Sequence, residues 1–253
     1  MLSAAVVGVA AGLLPVGAGG SARLTNPIAH DVSYPQCRVR LPTGGSTGIV
    51  GVTAGRPFST NACLKAEYGW ASSRPQPPQL YMNTSNPGNA ASYWTVRAGP
   101  GPRSCTAADL DDPANLNCAY NFGWNSARDA VARALGSIGK AAVTHAWWLD
   151  AETANSWNGT TAANAQDLQG SIDYLRSARV PATGFYSTSL QWGIITGGYQ
   201  SPAGSNPPPG NWIASASSAA EARSWCSPDR AFSDGAVYLV QYLVGNFDGD
   251  YLC

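Results

Sequence analysis

The chain has 253 residues, of which 12 % are charged, with 15 Lys and Arg set against 15 Asp and Glu. A formal net charge of zero excludes the basic excess that a nucleic-acid backbone or an anionic membrane surface calls for. The 28 Gly and 18 Pro imply many turns and argue against a helical bundle, while nine Trp can serve both a core and the stacking of sugar rings.

Residues 1–22 read as a secretory leader, with an apolar run from Leu2 to Val16, small residues after it and a cut expected after Ala22. The rest, 23–253, reads as one domain exported from the cell, because no later segment is long and apolar enough to span a bilayer. All six cysteines follow the cut. An even number in an exported chain favours three disulfides, and fifteen pairings are open. Proximity suggests Cys37–Cys63, Cys105–Cys118 and Cys226–Cys253. No Cys-x-x-Cys or His–Cys spacing marks a metal site, and no cofactor is expected.

Residues 26–34 read as a loop entering a short strand with Asp31-Val32-Ser33 at its exit, and strands follow at Gly48–Thr53 and Gln79–Asn83, with a helix between these two running to about Ser73, capped by Thr60 or Asn61. Residues 86–121 read as a long Pro/Gly/Asn-rich loop, a disulfide-bearing functional rim. A helix follows over 125–138, with Ala127, Val131, Ala134, Leu135 and Ile138 as its buried stripe. Beyond the strand ending at Asp150, helices are predicted over 164–177, 189–195 and 217–225. They alternate with strands over 182–187, 211–215 and 237–242, and a brief strand over 246–248 closes the chain. Eight strands separated mostly by helices are read as an α/β closed barrel of parallel strands, with an open doubly wound sheet as the alternative. No Gly-x-Gly-x-x-Gly follows the first strand to support a nucleotide.

The run Ala146-Trp147-Trp148-Leu149-Asp150-Ala151-Glu152 ends a strand in two carboxylates one residue apart. Alternation puts Trp148, Asp150 and Glu152 on one face and turns Trp147 the other way. Two acids so placed shift each other's pKa values, and a general acid beside an anionic partner needs that split. In a barrel, functional groups gather where strands end. Asp31, Asn83, Tyr186, Gln241, Tyr242 and Asp248 fall at such ends beside Asp150 and Glu152, so four carboxylates from three distant segments converge on one mouth.

With these residues in hand, the chain resembles glycoside hydrolase family 25. The resemblance is carried by Asp31-Val32-Ser33, Leu149-Asp150-Ala151-Glu152, Phe185-Tyr186-Ser187, Trp212, Val240-Gln241-Tyr242 and Phe247-Asp248, in that order. It implies a (β/α)5β3 barrel that cleaves the β-1,4 bond after N-acetylmuramic acid in peptidoglycan. By position, Glu152 would protonate the leaving oxygen. Asp150 would orient the N-acetyl group or stabilise positive charge at the sugar carbon, Asp31 and Asp248 would line the same subsite, and Tyr186 and Gln241 would donate and accept hydrogen bonds. Two stretches depart from the family pattern: Thr53-Ala54-Gly55-Arg56-Pro57 after the second strand, and the loop over 86–121.

Further candidates stand outside that match. Trp157, just past the acids, is a candidate to stack a sugar ring, with Trp192 and Tyr34 behind it. His30 and His145 read as structural. Asp248-Gly249-Asp250 resembles a fragment of a calcium loop without the remaining ligands, and Asp250 reads as surface. The expected partner is a cell-wall polysaccharide, met by a monomer. A non-catalytic glycan-binding barrel and a disulfide-stapled envelope protein are the competing readings.

Overall fold

The computed structural model describes residues 26–202, 205–245 and 247–253. The expected leader over 1–22 and its cut after Ala22 lie outside them. Eight strands close into one barrel in chain order: β1 (Ile28–Val32), β2 (Thr47–Gly51), β3 (Gln79–Asn83), β4 (Trp147–Asp150), β5 (Thr183–Ser187), β6 (Gly210–Ala216), β7 (Val237–Val244) and β8 (Phe247–Leu252). Strands β1 to β7 pair in parallel. β8 runs antiparallel to both β7 and β1. The expectation of eight parallel strands fails at this last one, because too few residues join β7 to β8 for a crossover, and a hairpin forms instead.

Period-two alternation sorts the strand residues into two cores. Ala29, Ile49, Trp148, Trp212 and Leu239, with Tyr81, Tyr186 and Leu252 against them, fill the barrel. Val32, Val50, Leu80, Met82, Trp147, Leu149, Phe185, Ile213 and Val240 belong to the layer between barrel and helices. The two adjacent tryptophans are thereby split, one to each core. Trp148 also donates its indole N–H to Gln79 Oε1 at 2.6 Å. Tyr242, expected among the mouth residues, lies in the outer layer because it is one step out of phase with Gln241.

The helices are α1 (Leu64–Ser72), α2 (Trp94–Ala98), α3 (Leu116–Ile138), α4 (Thr161–Ser177), α5 (Ser189–Thr196) and α6 (Ala219–Ser224). None of them is long and apolar enough to cross a membrane. The 86–121 segment is not a plain loop. It contains α2 and the first residues of α3, which starts at Leu116 because Asn115 caps it, accepting from the backbone N–H groups of Asn117 and Cys118. Trp94, Ala98, Cys118 and Phe122 form a satellite core there, so the segment packs on α3. Leu135 is 42 % exposed and falls outside the buried stripe expected of α3. α3 and α4 approach closely at Gly123 and Gly170, where a Cβ would lie 1.8 Å from the Asp167 carbonyl oxygen and 2.1 Å from that of Tyr120. Near the start of α1, Asn61 Oδ1 accepts the Cys63 N–H at 2.9 Å, and Thr60 makes no such bond. The cysteines pair as Cys37–Cys63, Cys105–Cys118 and Cys226–Cys253.

Candidate active site

The site is assembled from the strand ends upward. β4 delivers Asp150 at its last position, and the sheet continues one step, the Ala151 N–H donating to the Tyr186 carbonyl at 2.9 Å. That step carries Glu152 onto the same side as Asp150. β1 contributes Asp31, β3 Tyr81, β5 Tyr186, β6 Trp212 and β7 Gln241. Asp248 arrives from the first residues of β8, which runs the other way and so begins at the mouth. Asp31, Tyr81, Asp150, Glu152, Tyr186, Trp212, Gln241 and Asp248 line one pocket of about 140 Å³. Four carboxylates meet there, and none of the eight lining residues is cationic.

The polar groups are held in two chains. In one, Asn83 Nδ2 donates to Asp150 Oδ2, while Asn83 Oδ1 accepts from the Thr53 hydroxyl at 2.8 Å. Asn155 Nδ2 reaches Asp150 Oδ1 at 3.5 Å from the far side. In the other, the Tyr186 hydroxyl donates to Gln241 Oε1 at 2.7 Å, and Gln241 Nε2 donates to Asp31 Oδ2 at 3.0 Å. A side-chain amide thus stands against each of the two most buried lining acids and fixes its orientation.

Without a cation, burial governs the protonation of the acids. Burial first, and then the Asp248 charge, push Asp31 up to about 7, against the hydrogen bonds it accepts. Asp150 lies well above the usual carboxylate range because it is buried and faces Glu152. Burial also raises Glu152, opposed by a hydrogen bond from Asp150 and helped by the Asp248 charge. Asp248 is raised by burial. Asp150 and Glu152 titrate as a pair, and the pair retains a proton to higher pH than either acid would alone. Such a pocket can hold one proton for a leaving group and still present negative charge to a cationic centre.

Several expected residues sit elsewhere. Asn83 is absent from the pocket lining and acts on Asp150 from behind. Trp157 donates its indole N–H to the Glu152 carbonyl at 2.7 Å. It lines a separate hollow of about 230 Å³ with Thr153, Asn155, Thr161, Asn164 and Ile194 among others. Trp192 is 1 % exposed and packs on Phe185 and Phe232, so it is core. Tyr34 is exposed and outside the pocket lining. The acid pocket takes nothing from the 86–121 segment expected as its rim. His30 Nδ1 faces the Asp248 carbonyl at 3.1 Å, and His145 bonds the Tyr68 hydroxyl at 2.9 Å. Asp250, expected on the surface, is fully buried. The brief strand predicted over 246–248 continues to Leu252, and the same alternation carries Asp250 inward. Tyr81 was not singled out, although it alternates with Asn83 in a strand that the sequence does indicate. Among the described residues, Cys37, Cys63 and Glu67 lie close enough to share an ion, but both sulfurs are bound in a disulfide and offer no thiolate.

No protein-family description matches the sequence, and no curated protein is recognisably related to it. Solved structures do share the fold. A family GH25 lysozyme from Aspergillus fumigatus superposes with a TM-score of 0.57 at 14 % identity, covering 90 % of this chain and 94 % of that one. A bacterial lysozyme from Streptomyces coelicolor gives 0.51 at 14 % identity over 90 % and 93 % of the two chains. The modular autolysin LytC from Streptococcus pneumoniae, solved with a synthetic peptidoglycan ligand, gives 0.53 at 12 % identity over 89 % of this chain and 46 % of that one. These likenesses establish a shared barrel fold.

Proposed function

We propose that the protein is an exported glycoside hydrolase that cleaves a β-1,4 linkage in a cell-wall glycan of peptidoglycan type. The observation that carries this reading is the four-acid pocket at the mouth of the barrel, free of any cation in its lining. Glycosidic hydrolysis needs one protonated and one ionised carboxyl about the scissile bond. Glu152 is the general acid: it is less enclosed than Asp150 and opens on the pocket, burial raises its carboxyl, and Asp150, raised well above the usual carboxylate range, shares its proton with it. Asp150, clamped by Asn83 and Asn155, orients an N-acetyl group of the sugar or stabilises the positive charge that develops at its carbon. Asp31 and Asp248 contribute negative charge to that same centre from the opposite side of the barrel, and Tyr186 and Gln241 hold Asp31.

Trp157 extends the site beyond Glu152. Its indole, with Ile194 and the uncharged polar groups of Thr153, Asn155 and Thr161, suits a neighbouring sugar that has one apolar and one hydroxylated face. Three disulfides accord with an exported protein. Support for the substrate class comes from the fold, which the lysozymes above share, and from the solved complex of LytC with a peptidoglycan ligand.

Incubating the purified protein with a panel of cell-wall glycans and assaying new reducing ends tests the reading. Release from peptidoglycan is the expected result. Saturable binding with no release from any glycan would replace the hydrolase with a non-catalytic glycan-binding barrel.

A further inference from the structure

Asp250 is a buried acid that the proposed chemistry does not use. It is 0 % exposed. Its Oδ1 accepts the Trp212 indole N–H at 2.8 Å, and among the described residues no N–H or hydroxyl reaches its Oδ2. On β8 it stands opposite Ala29 of β1 and Gln241 of β7. The titratable groups it meets are Asp31 from β1, Asp248 on its own strand and the Tyr242 phenol from β7. None of these is a cation. Asp31 lies diagonally across from it, two residues along β1 from Ala29 and on the same face of the sheet.

Two carboxyl groups can bond only if one of them carries a proton. Their surroundings decide which. Asp31 lines the open pocket, where its charge is partly solvated, whereas Asp250 is wholly buried and outside that lining, so Asp250 keeps the proton and Asp31 is the acceptor of the pair. Asp250 accepts at Oδ1 from Trp212, which makes that atom its carbonyl oxygen and leaves the proton to Oδ2. We propose that Asp250 is a positioning residue: its Oδ2–H donates to the Asp31 carboxylate and, with Gln241, holds Asp31 as an oriented anion behind the sugar-binding pocket. Burial and the Asp31 charge both push the Asp250 carboxyl well above the usual range. A charge-assisted bond of this kind also lowers Asp31 against the burial that raises it. The assignment rests on the glycosidase reading for its effect on turnover, but the location of the proton does not.

Asn is the near-isostere of a protonated Asp held in this way, with one oxygen to accept from Trp212 and one N–H to give to Asp31. Asp250→Asn and Asp250→Leu, compared with wild type on peptidoglycan across pH, test the assignment. Asp250→Asn is expected to keep wild-type turnover at neutral pH and to extend the alkaline limb, because its donor cannot ionise. Asp250→Leu is expected to lose about tenfold to a hundredfold in kcat, the worth of one hydrogen bond to a charged group, and to move the acid limb upward as Asp31 becomes harder to ionise. Infrared difference spectra of wild type against Asp250→Asn, taken without glycan at pH 7, should contain the C=O stretch of an un-ionised acid. An Asn variant as damaged as the Leu variant, or carboxylate bands in place of the acid band, would overturn the assignment. If wild type releases no reducing ends, the glycosidase reading fails while the infrared band still locates the proton.

Discussion

Asp150 owes its orientation to groups that never enter the pocket. Asn83 spans two of them, donating to the carboxylate and accepting from the Thr53 hydroxyl. Replacing Asn83 by Leu keeps the volume but removes the donor and leaves Thr53 without its acceptor. The expected result is an activity loss of about tenfold or more and a destabilisation of about 1–3 kcal/mol, read from kcat and from denaturant midpoints. An unchanged kcat would detach Asn83 from the chemistry. Residue types alone conveyed part of this site. Asp31, Asp150, Glu152, Tyr186, Gln241 and Asp248 all reach the pocket, since strand ends and alternation are legible in a linear pattern. Asn83 was read as a ligand to substrate because its place at a strand end is visible in the sequence, whereas its bond to Asp150 on the neighbouring strand is not. Asp250 was misread for a related reason: where β8 ends is decided by pairing with β1 and β7, which nothing local records.

Among the elements, α3 and α4 form the tightest contact, and glycine makes it possible. A Cβ at Gly123 would fall 1.8 Å from the Asp167 carbonyl oxygen, a backbone atom that cannot swing aside. Gly123→Ala should therefore force the helices apart and cost about 3 kcal/mol or more, above the usual overpacking penalty because backbone is displaced. A thermal or denaturant melt checks it, and a melt equal to wild type would mean that the helices separate freely. The first residues of α3, 116–124, escaped prediction for the same reason that they pack so well. Asn121 and Gly123 look like loop residues, yet each is buried, and Asn125 just beyond them is buried too. Asn121 Nδ2 donates to the Arg103 carbonyl at 2.8 Å, and Asn125 Nδ2 to that of Arg97 at 2.6 Å. Small and polar side chains chosen for tertiary contact erase the apolar periodicity by which helices are recognised.

Across the whole molecule, buried acids dominate the dependence of stability on pH. Asp31, Asp150, Asp167 and Asp250 are all raised by burial, Asp31 to about 7. Each binds a proton in the folded state at a pH where the unfolded chain, with a carboxylate value near 4, has released it. The folded state then holds more protons than the unfolded one, so stability falls as pH rises from the unfolded toward the folded value. His30 and His145 are lowered by burial and act in the opposite sense, but their contribution is complete above the ordinary value of 6.5. The melting temperature should accordingly be lower at pH 8 than at pH 6, and the slope should be shallower in Asp250→Asn. A melting temperature that rises over that interval would contradict the uncompensated burial of these acids. The closed barrel itself was legible in the alternation of strands and helices. Its antiparallel last strand was not, because direction is set by whether a crossover has room, and β8 follows β7 almost at once.

In the proposed reaction Glu152 supplies the proton for glycosidic cleavage, and Glu152→Gln isolates that role, because the amide keeps the shape of the side chain and cannot donate that proton. Reducing-end release from peptidoglycan, measured for wild type and variant at equal protein and with glycan binding measured in parallel, is predicted to fall by about 10²–10⁴-fold while binding persists. Release by the variant at the wild-type rate would contradict the assignment.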